Sequence, residues 1–522
     1  MPESNIILFN SNVITLNPKQ PKAEAILLQN GKILAVGSNK EILKHKSDST
    51  KLIDSKHHTV VPGLVDCHVH MLEFGFFLQE VNLRNTKSIG EMQRKIREHA
   101  DRNPQLNWIL GGRWDQEKFA EKRCPTRWDL DEAISDKPVF LNRVCGHLSV
   151  ANSKALQMAR ITKKTKIKGG KVDLDSATGE PNGVLRDNAR DLVWKVVPEP
   201  SRETIENACR LACNKAVEAG LTGVHWLVSS AEEVRILQRL CMEGKLPLRV
   251  YLGIPVEHLD ELVSLGLLPG FGNDMLKVGF IKILADGSLG ARTAALNKAY
   301  SDDHKTRGLM LYTRKKLNQM IMKAHSAGLQ LGVHAIGDRA VENVLDAYRK
   351  ALKKVPRRNH RHRIEHCSIL NPKLIDDMKR LGLVASVQPH FVISDFWTTD
   401  RVGSERARWA YPFRTLLKKG VVVASGSDCP VEQISPVLGI WAAVARKDKA
   451  EEVLAVEEAL KTYTVNAAYA SFDEKKKGTI EPGKLADLTI LSDDPMGVPA
   501  DKIRNLAVEM VIVDGKVVYS KE

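Results

Sequence analysis

The stretch Asp66-Cys67-His68-Val69-His70 ends an apolar run, VVPGLVDCHVH (60–70). On a strand, residues i and i+2 face the same side, so His68 and His70 can reach one cation together. An HxH pair alone is a weak signal, because a metal site needs further ligands. The chain supplies them: His334 in LGVHAIGD, His366 in HRIEHCS, Asp428 in ASGSDCP and Lys282 in FIKILADG each fall at or near the end of an apolar run. A set rich in imidazole with one carboxylate suits Zn²⁺ first, then Fe²⁺ or Mn²⁺. A cation held there would bring the pKa of water from about 15.7 to about 7 and polarise a carbonyl. The chemistry on offer is therefore metal-assisted hydrolysis. No GxSxG elbow offers a serine nucleophile, and no GxxxxGK[ST] loop offers a phosphate cradle.

Convergence of these side chains requires a scaffold that gathers strand ends. Eight runs read as strands: 60–70, 222–228, 246–255, 276–287, 329–338, 362–368, 383–391 and 421–430. Several follow amphipathic stretches closed by glycine, such as NKAVEAGLT, MKAHSAGLQ and DMKRLGLV, which read as helices with a glycine cap. Eight β units separated by helices predict an α/β fold, a (β/α)₈ TIM-like barrel. A doubly wound open sheet is the rival that strand count alone leaves standing. The rhythm breaks between His70 and Thr222, where the chain is far longer than one helix needs. That segment, 71–205, reads as an insertion subdomain after the first strand, inside a barrel domain spanning 60–476. The ends of the chain resemble each other: AILLQNGKILAVG and VEMVIVDGKVVY each place a tight-turn dipeptide between β-rich runs. They predict a small β-sandwich domain built from 1–59 and 477–522, or else two unrelated edge hairpins.

Composition narrows the class. The chain has 522 residues, 43% hydrophobic and 27% charged, which excludes disordered and fibrous classes. Eight cysteines without a CxxC pair suit reduced thiols rather than a disulfide scaffold. No basic segment followed by an apolar core opens the sequence, and no run of 18 apolar residues occurs, so a cytoplasmic protein with no membrane span is expected. Lys+Arg number 78 against 63 Asp+Glu, a net +15. The basic clusters 163–171, 353–363 and 475–477 lie in turns or at helix ends and read as solvated surface. No nucleic-acid module is present, so nucleic-acid binding is not expected and a small-molecule substrate is. A homodimer is the default for an oligomer of this kind.

On these motifs the sequence resembles the amidohydrolase superfamily over nearly its whole length. FIKILADGSLGARTA, VHAIGDRAV, WDQEKF, GHLSVANSKAL and the tail GTIEPGKLADLTIL are similar to the branch called amidohydrolase family 3, which includes an N-substituted formamide deformylase. The resemblance implies that His68, His70 and Asp428 hold one metal and that His334 and His366 hold a second. It implies that Lys282 bridges the two if it carries a CO₂-derived carbamate. Otherwise Lys282 is a loop lysine or a partner for a substrate anion, and the site holds one metal. Asp428 would take the proton of the attacking water and pass it to the leaving amine. The implied activity is cleavage of a C–N bond other than a peptide bond, in an N-acyl or N-formyl amine. Deamination of a ring or amidine carbon on one metal is the alternative, and a non-catalytic scaffold relative is the rival from outside enzymology. Trp114, Asp115, Arg143, His147 and Asp338 also match family motifs, and for each a substrate contact and a packing or ion-pair role stand side by side. Asp338 could instead orient His334. His225 reads as a core histidine, and Phe391, Phe396 and Trp397 as either an apolar pocket wall or core.

Overall fold

The structure is a computed structural model that describes residues 5–143 and 148–521. Each of the eight apolar runs contains a strand. In order they are β1 (Leu64–Val69), β2 (Leu221–Leu227), β3 (Arg249–Pro255), β4 (Leu276–Leu284), β5 (Gln330–Ala335), β6 (Arg363–His366), β7 (Val384–Val387) and β8 (Val422–Ser425). All neighbouring pairs are parallel and follow chain order from β1 to β8. A doubly wound sheet reverses its strand order at a switch point, and this one does not. Its two ends meet instead. Just past β8, the Asp428 N–H donates to His68 O (2.7 Å) and the His70 N–H donates to Cys429 O (2.9 Å). The sheet is a nearly closed (β/α)₈ barrel, and its seam runs through the predicted ligands.

Helical periodicity covers the outside of this sheet. The helix Asp338–Lys354 buries Ala340, Val341, Val344, Leu345, Ala347, Tyr348 and Ala351, the three-and-four spacing of one apolar face. The helix Pro372–Arg380 stops before Gly382, whose φ of +66° suits a residue without Cβ, and the Gly382 N–H closes the turn onto Lys379 O.

The run VVPGLVDCHVH holds two strands rather than one. Thr59–Pro62 joins a six-stranded sheet, and the chain bends at Gly63 to enter β1. A Cβ at Gly63 would lie 2.3 Å from Thr222 Oγ1, so the bend needs glycine. The six-stranded sheet takes strands from both chain ends: Leu488–Leu491 pairs with Thr59–Pro62 on one side and with Val508–Val513 on the other. A four-stranded sheet carries the N-terminal hairpin Ala25–Gln29/Lys32–Gly37. Asn30, Gly31, Asp514 and Gly515 all have positive φ, as two-residue primed turns require. Ile6, Leu8, Ile26, Leu28, Val60, Leu488 and Ile512 fill the core of this β region. A buried Arg249, at the start of β3, donates to both carboxylate oxygens of Asp487 (2.7 and 2.8 Å) and ties it to the barrel.

Residues 75–208 form a separate compact unit. It has its own six-stranded mixed sheet, ordered Gly170–Leu174, Pro181–Asp187, Leu148–Ala151, Val139–Arg143, Ile109–Trp114, Val81–Asn82. Two apolar clusters pack against that sheet, one around Ile96, Trp114 and Leu141, the other around Phe140, Leu156 and Leu185. Among the described residues no helix is long and apolar enough to cross a membrane, and the seven described cysteines are free.

Candidate metal centre

Strand β1 delivers Asp66, His68 and His70 by simple alternation. Asp66 is buried and accepts from the N–H groups of His68 and Ser427, each at 3.0 Å, which stitches the seam from within. Burial raises its pKa to about 6 against these bonds. Gly426 lies at the same point, where a Cβ would sit 2.5 Å from His68 N and 2.6 Å from Asp66 Oδ1. The result is close approach of β8 to β1: Asp428 Oδ1 is 3.3 Å from Nε2 of both His68 and His70. The candidate ligand atoms of these three residues all lie within 4.8 Å of one another, a spacing that one cation of the first transition row can bridge. Burial works against the Asp428 carboxylate, yet the surrounding histidines outweigh it and hold the group well below its ordinary value.

His334, His366 and Lys282 line the same cavity. His366 packs between His68 and His334, with ring centroids 4.8 and 4.5 Å away. Its Nδ1 is 2.7 Å from Gln388 Oε1, leaving Nε2 as the nitrogen for ligation. His334 is arranged the other way, with Nε2 bonded to Gly287 O (3.1 Å) and 3.4 Å from Asp286 Oδ1. Burial, then the neighbouring Lys282, pushes His334 down to about 3, so it stands as a neutral imidazole. Lys282 is 9% exposed, and its Nζ meets His68 Nε2 (3.2 Å) rather than a carboxylate. Burial lowers its pKa to about 8, which makes a neutral amine accessible near physiological pH. His366 (φ +73°) and Asp428 (φ +58°) both sit in the left-handed region, an unfavourable conformation for such residues that packing around a site sustains.

The cavity above this cluster measures 420 Å³. Leu289, Ile336, Phe391 and Trp397 give it apolar walls, and Asp395, Tyr411 and Glu432 add polar groups. Burial raises Asp395 to about 6, and the Tyr411 hydroxyl donates to it. Phe396 does not share this wall; it is 85% exposed.

The remaining sequence expectations divide. Trp114 is fully buried and its indole N–H donates to Leu141 O (3.2 Å), so it packs the core of the 75–208 unit. Asp115 and Arg143, in that same unit, form an ion pair at 2.8 Å. His147 lies outside the described residues. Asp338 accepts from the N–H groups of Asn297 and Arg339, and the carboxylate beside His334 is Asp286. Asp286 accepts from the backbone of Ala295, Ile336 and Gly337, and burial raises it to about 7. His225 is a buried residue whose Nδ1 faces Arg363 Nη1 at 2.7 Å. Arg361 and Arg363, in a cluster expected to be solvated, are 7% and 0% exposed. Sequence reasoning passed over Asp286, Gln388, Arg363 and Glu365; the last accepts from His68 Nδ1 at 2.6 Å. The signal for Arg363 and Glu365 was present in the alternation of RIEH on a barrel strand.

Known proteins resemble this chain over nearly its whole length. The sequence profile of the amidohydrolase family matches residues 51–519. The Bacillus subtilis protein YtcJ, assigned by name to the amidohydrolases, is 34% identical over 98% of this chain and 98% of its own. An N-substituted formamide deformylase of Arthrobacter pascens is 28% identical over 99% of this chain and 98% of its own. Among solved structures, an uncharacterised metal-dependent hydrolase from Pyrococcus furiosus superposes with a TM-score of 0.80 at 31% identity, covering 94% of this chain and 100% of that one.

Proposed function

Because the chain belongs to the amidohydrolase family, we propose that it is a metal-dependent hydrolase that cleaves the C–N bond of an N-acyl or N-formyl amine. The observation that carries this reading is the meeting of His68, His70 and Asp428 within 4.8 Å at the floor of a cavity with apolar walls. The donor set fits a divalent cation: two imidazoles and one carboxylate converge, and two further histidines stand next to them. In this reading His68, His70 and Asp428 would hold one Zn²⁺ and His334 and His366 would hold a second. Lys282, whose neutral amine burial makes accessible, would supply an anionic oxygen donor to them if it carried a CO₂-derived carbamate.

A bound divalent ion supplies Lewis acidity, which acidifies water and polarises the scissile carbonyl. The protein does the rest. Asp428 accepts a proton from the attacking water and returns it to the departing amine nitrogen, so that an amine rather than an amide anion leaves. Leu289, Ile336, Phe391 and Trp397 seat the apolar part of the substrate and exclude bulk water. The likeness to a formamide deformylase supports a small acyl group.

The test is a panel of N-formyl and N-acyl amines bearing aliphatic or aromatic groups, assayed for amine release with the protein loaded with Zn²⁺, Fe²⁺ or Mn²⁺. Hydrolysis is expected for the formyl compounds and is abolished by chelation. Release of ammonia from amidines or ring amines, with no turnover of any amide, would replace this reading by deamination.

A further inference from the structure

We propose that Glu365 is a positioning residue: its carboxylate holds His68 through Nδ1, so that Nε2 is presented to the metal, and thereby sets metal affinity. This inference rests on the metal-dependent reading above. His68 is the ligand at the centre of the cluster, with its Nε2 facing Asp428 Oδ1, and its other ring nitrogen meets Glu365 Oε2 at 2.6 Å. A carboxylate only accepts hydrogen bonds. The bond therefore places a proton on Nδ1 and makes Nε2, the nitrogen facing Asp428, the one that would ligate a cation. Lys282 Nζ, 3.2 Å from Nε2, is compatible with the same tautomer because an amine can donate there.

Glu365 is itself held without freedom. It is fully buried. Arg363 Nε lies 2.8 Å from Oε1 and Arg363 Nη2 donates to Oε2 at 3.0 Å. The guanidinium is fixed in turn by Cys67 O (2.6 Å) on β1, Ser386 Oγ (2.9 Å) on β7 and His225 Nδ1 (2.7 Å) on β2. The Phe280 ring on β4 lies against it, 4.3 Å from centroid to guanidinium carbon. Space for the pair comes from Gly332 on β5, where a Cβ would fall 2.8 Å from Glu365 Oε1 and 2.5 Å from the Phe280 ring. Strands β1, β2, β4, β5, β6 and β7 thus all shape one carboxylate, and among the described residues the candidate ligand it hydrogen-bonds is His68. A salt bridge kept only for stability would be a poor use of a barrel interior, since burying a charge pair is close to neutral against apolar packing. Orienting a ligand is a use that does require the charge.

The experiment compares wild type, E365Q and E365D. E365Q preserves shape and can keep an oxygen at the Oε2 position, where His68 and Arg363 Nη2 both bond, but it removes the negative charge and sets an amide NH₂ against Arg363 Nε, 2.8 Å away. Zn²⁺ affinity is measured by chelator competition at fixed pH, with thermal unfolding of the metal-free proteins recorded alongside. E233Q is the comparator: Glu233 is buried in a separate hydrogen-bonded network with Trp226 Nε1 and Ser229. E365Q is expected to weaken Zn²⁺ binding by about 10–100-fold, E365D by less, and E233Q by less than about 2-fold even if its unfolding temperature falls. If E365Q does not accumulate as folded protein, E365D alone decides, with a several-fold loss expected. Zn²⁺ affinity in E365Q, or in E365D where that variant decides, within about 2-fold of wild type overturns the proposal, and so does an equal loss in E233Q. Wild-type protein that binds no divalent cation overturns the functional reading itself, a separate result.

Discussion

Gly426 is the point at which barrel closure and the candidate metal site are the same structure, so Gly426→Ala tests both. The added Cβ would stand 2.5 Å from His68 N, 2.6 Å from Asp66 Oδ1 and 3.1 Å from His68 Cβ. Two of these neighbours are backbone or backbone-bound, so relief requires β8 to withdraw from β1. Overpacking of this kind costs about 1–3 kcal/mol. Withdrawal also stretches the bonds that Asp66 accepts from His68 N and Ser427 N, each worth about 1.5–3 kcal/mol when one partner is charged. A total near 3–5 kcal/mol should lower the unfolding temperature by roughly 5 °C or more. The same movement lengthens the 3.3 Å separation of Asp428 Oδ1 from His68 and His70 Nε2, so Zn²⁺ affinity should fall at least about tenfold. Differential scanning fluorimetry on metal-free and Zn²⁺-loaded protein separates the two effects. The metal-free variant already carries the strain, and the loaded variant gains less from the ion than wild type does. An unfolding temperature within about 1 °C of wild type, with unchanged affinity, would refute the account of the seam.

Asp428→Asn keeps the backbone bond from residue 428 to His68 O but removes the proton acceptor, so kcat should fall by about 10³-fold or more while circular dichroism is unchanged. If Lys282 carries the proposed carbamate, native mass spectrometry of the wild type should show an increment of one CO₂ that Lys282→Ala loses, with metal loading falling from two ions toward one and part of the activity returning with added formate or acetate. Acid should unfold the protein through a buried histidine group at the opposite end of the barrel. There His360 bonds to Leu381 O, and His325 Nδ1 lies 2.9 Å from His362 Nε2. Burial pushes His360 down to about 4 from 6.5. The unfolded chain therefore binds more protons between those values, and stability is complete above about pH 6.5 and is lost as pH falls toward 4. For His360 alone this is worth about 3 kcal/mol, and His360→Gln, which can still donate to Leu381 O, should flatten that part of a urea-denaturation pH profile.

The residues that were legible in the sequence are those whose position follows from strand periodicity and strand ends. His68 and His70 share a face by alternation, and the barrel order carries Lys282, His334, His366 and Asp428 to the same end of the sheet. The terminal hairpins were legible because Asn30-Gly31 and Asp514-Gly515 encode their turns locally. Residues 75–208 were less so: strands such as Leu148–Ala151 and Val81–Asn82 are short, and their pairing is set by contacts distant in sequence.

The most instructive case is RIEH on β6. Alternation puts Arg363 and Glu365 on one face and His366 on the other, so a reader who assigns His366 to the site expects the two charges to point away from it. All three lie at the candidate site: His366, at φ +73°, lines the cavity, Glu365 bonds His68 and Arg363 bonds Glu365. One short strand thus carries a candidate ligand at its tip and, one residue earlier, the carboxylate that bonds His68. The charge count misled here too. Arg363 belongs to a basic run that looks like solvated surface, but a strand buried on both faces gives a guanidinium no water, so its presence there demands a buried anion. Glu365 is that anion, and its other partner is a candidate metal ligand. An arginine in a central parallel strand is thus a sequence-level pointer to a charged device inside the barrel, readable once the strand's place in the sheet is known.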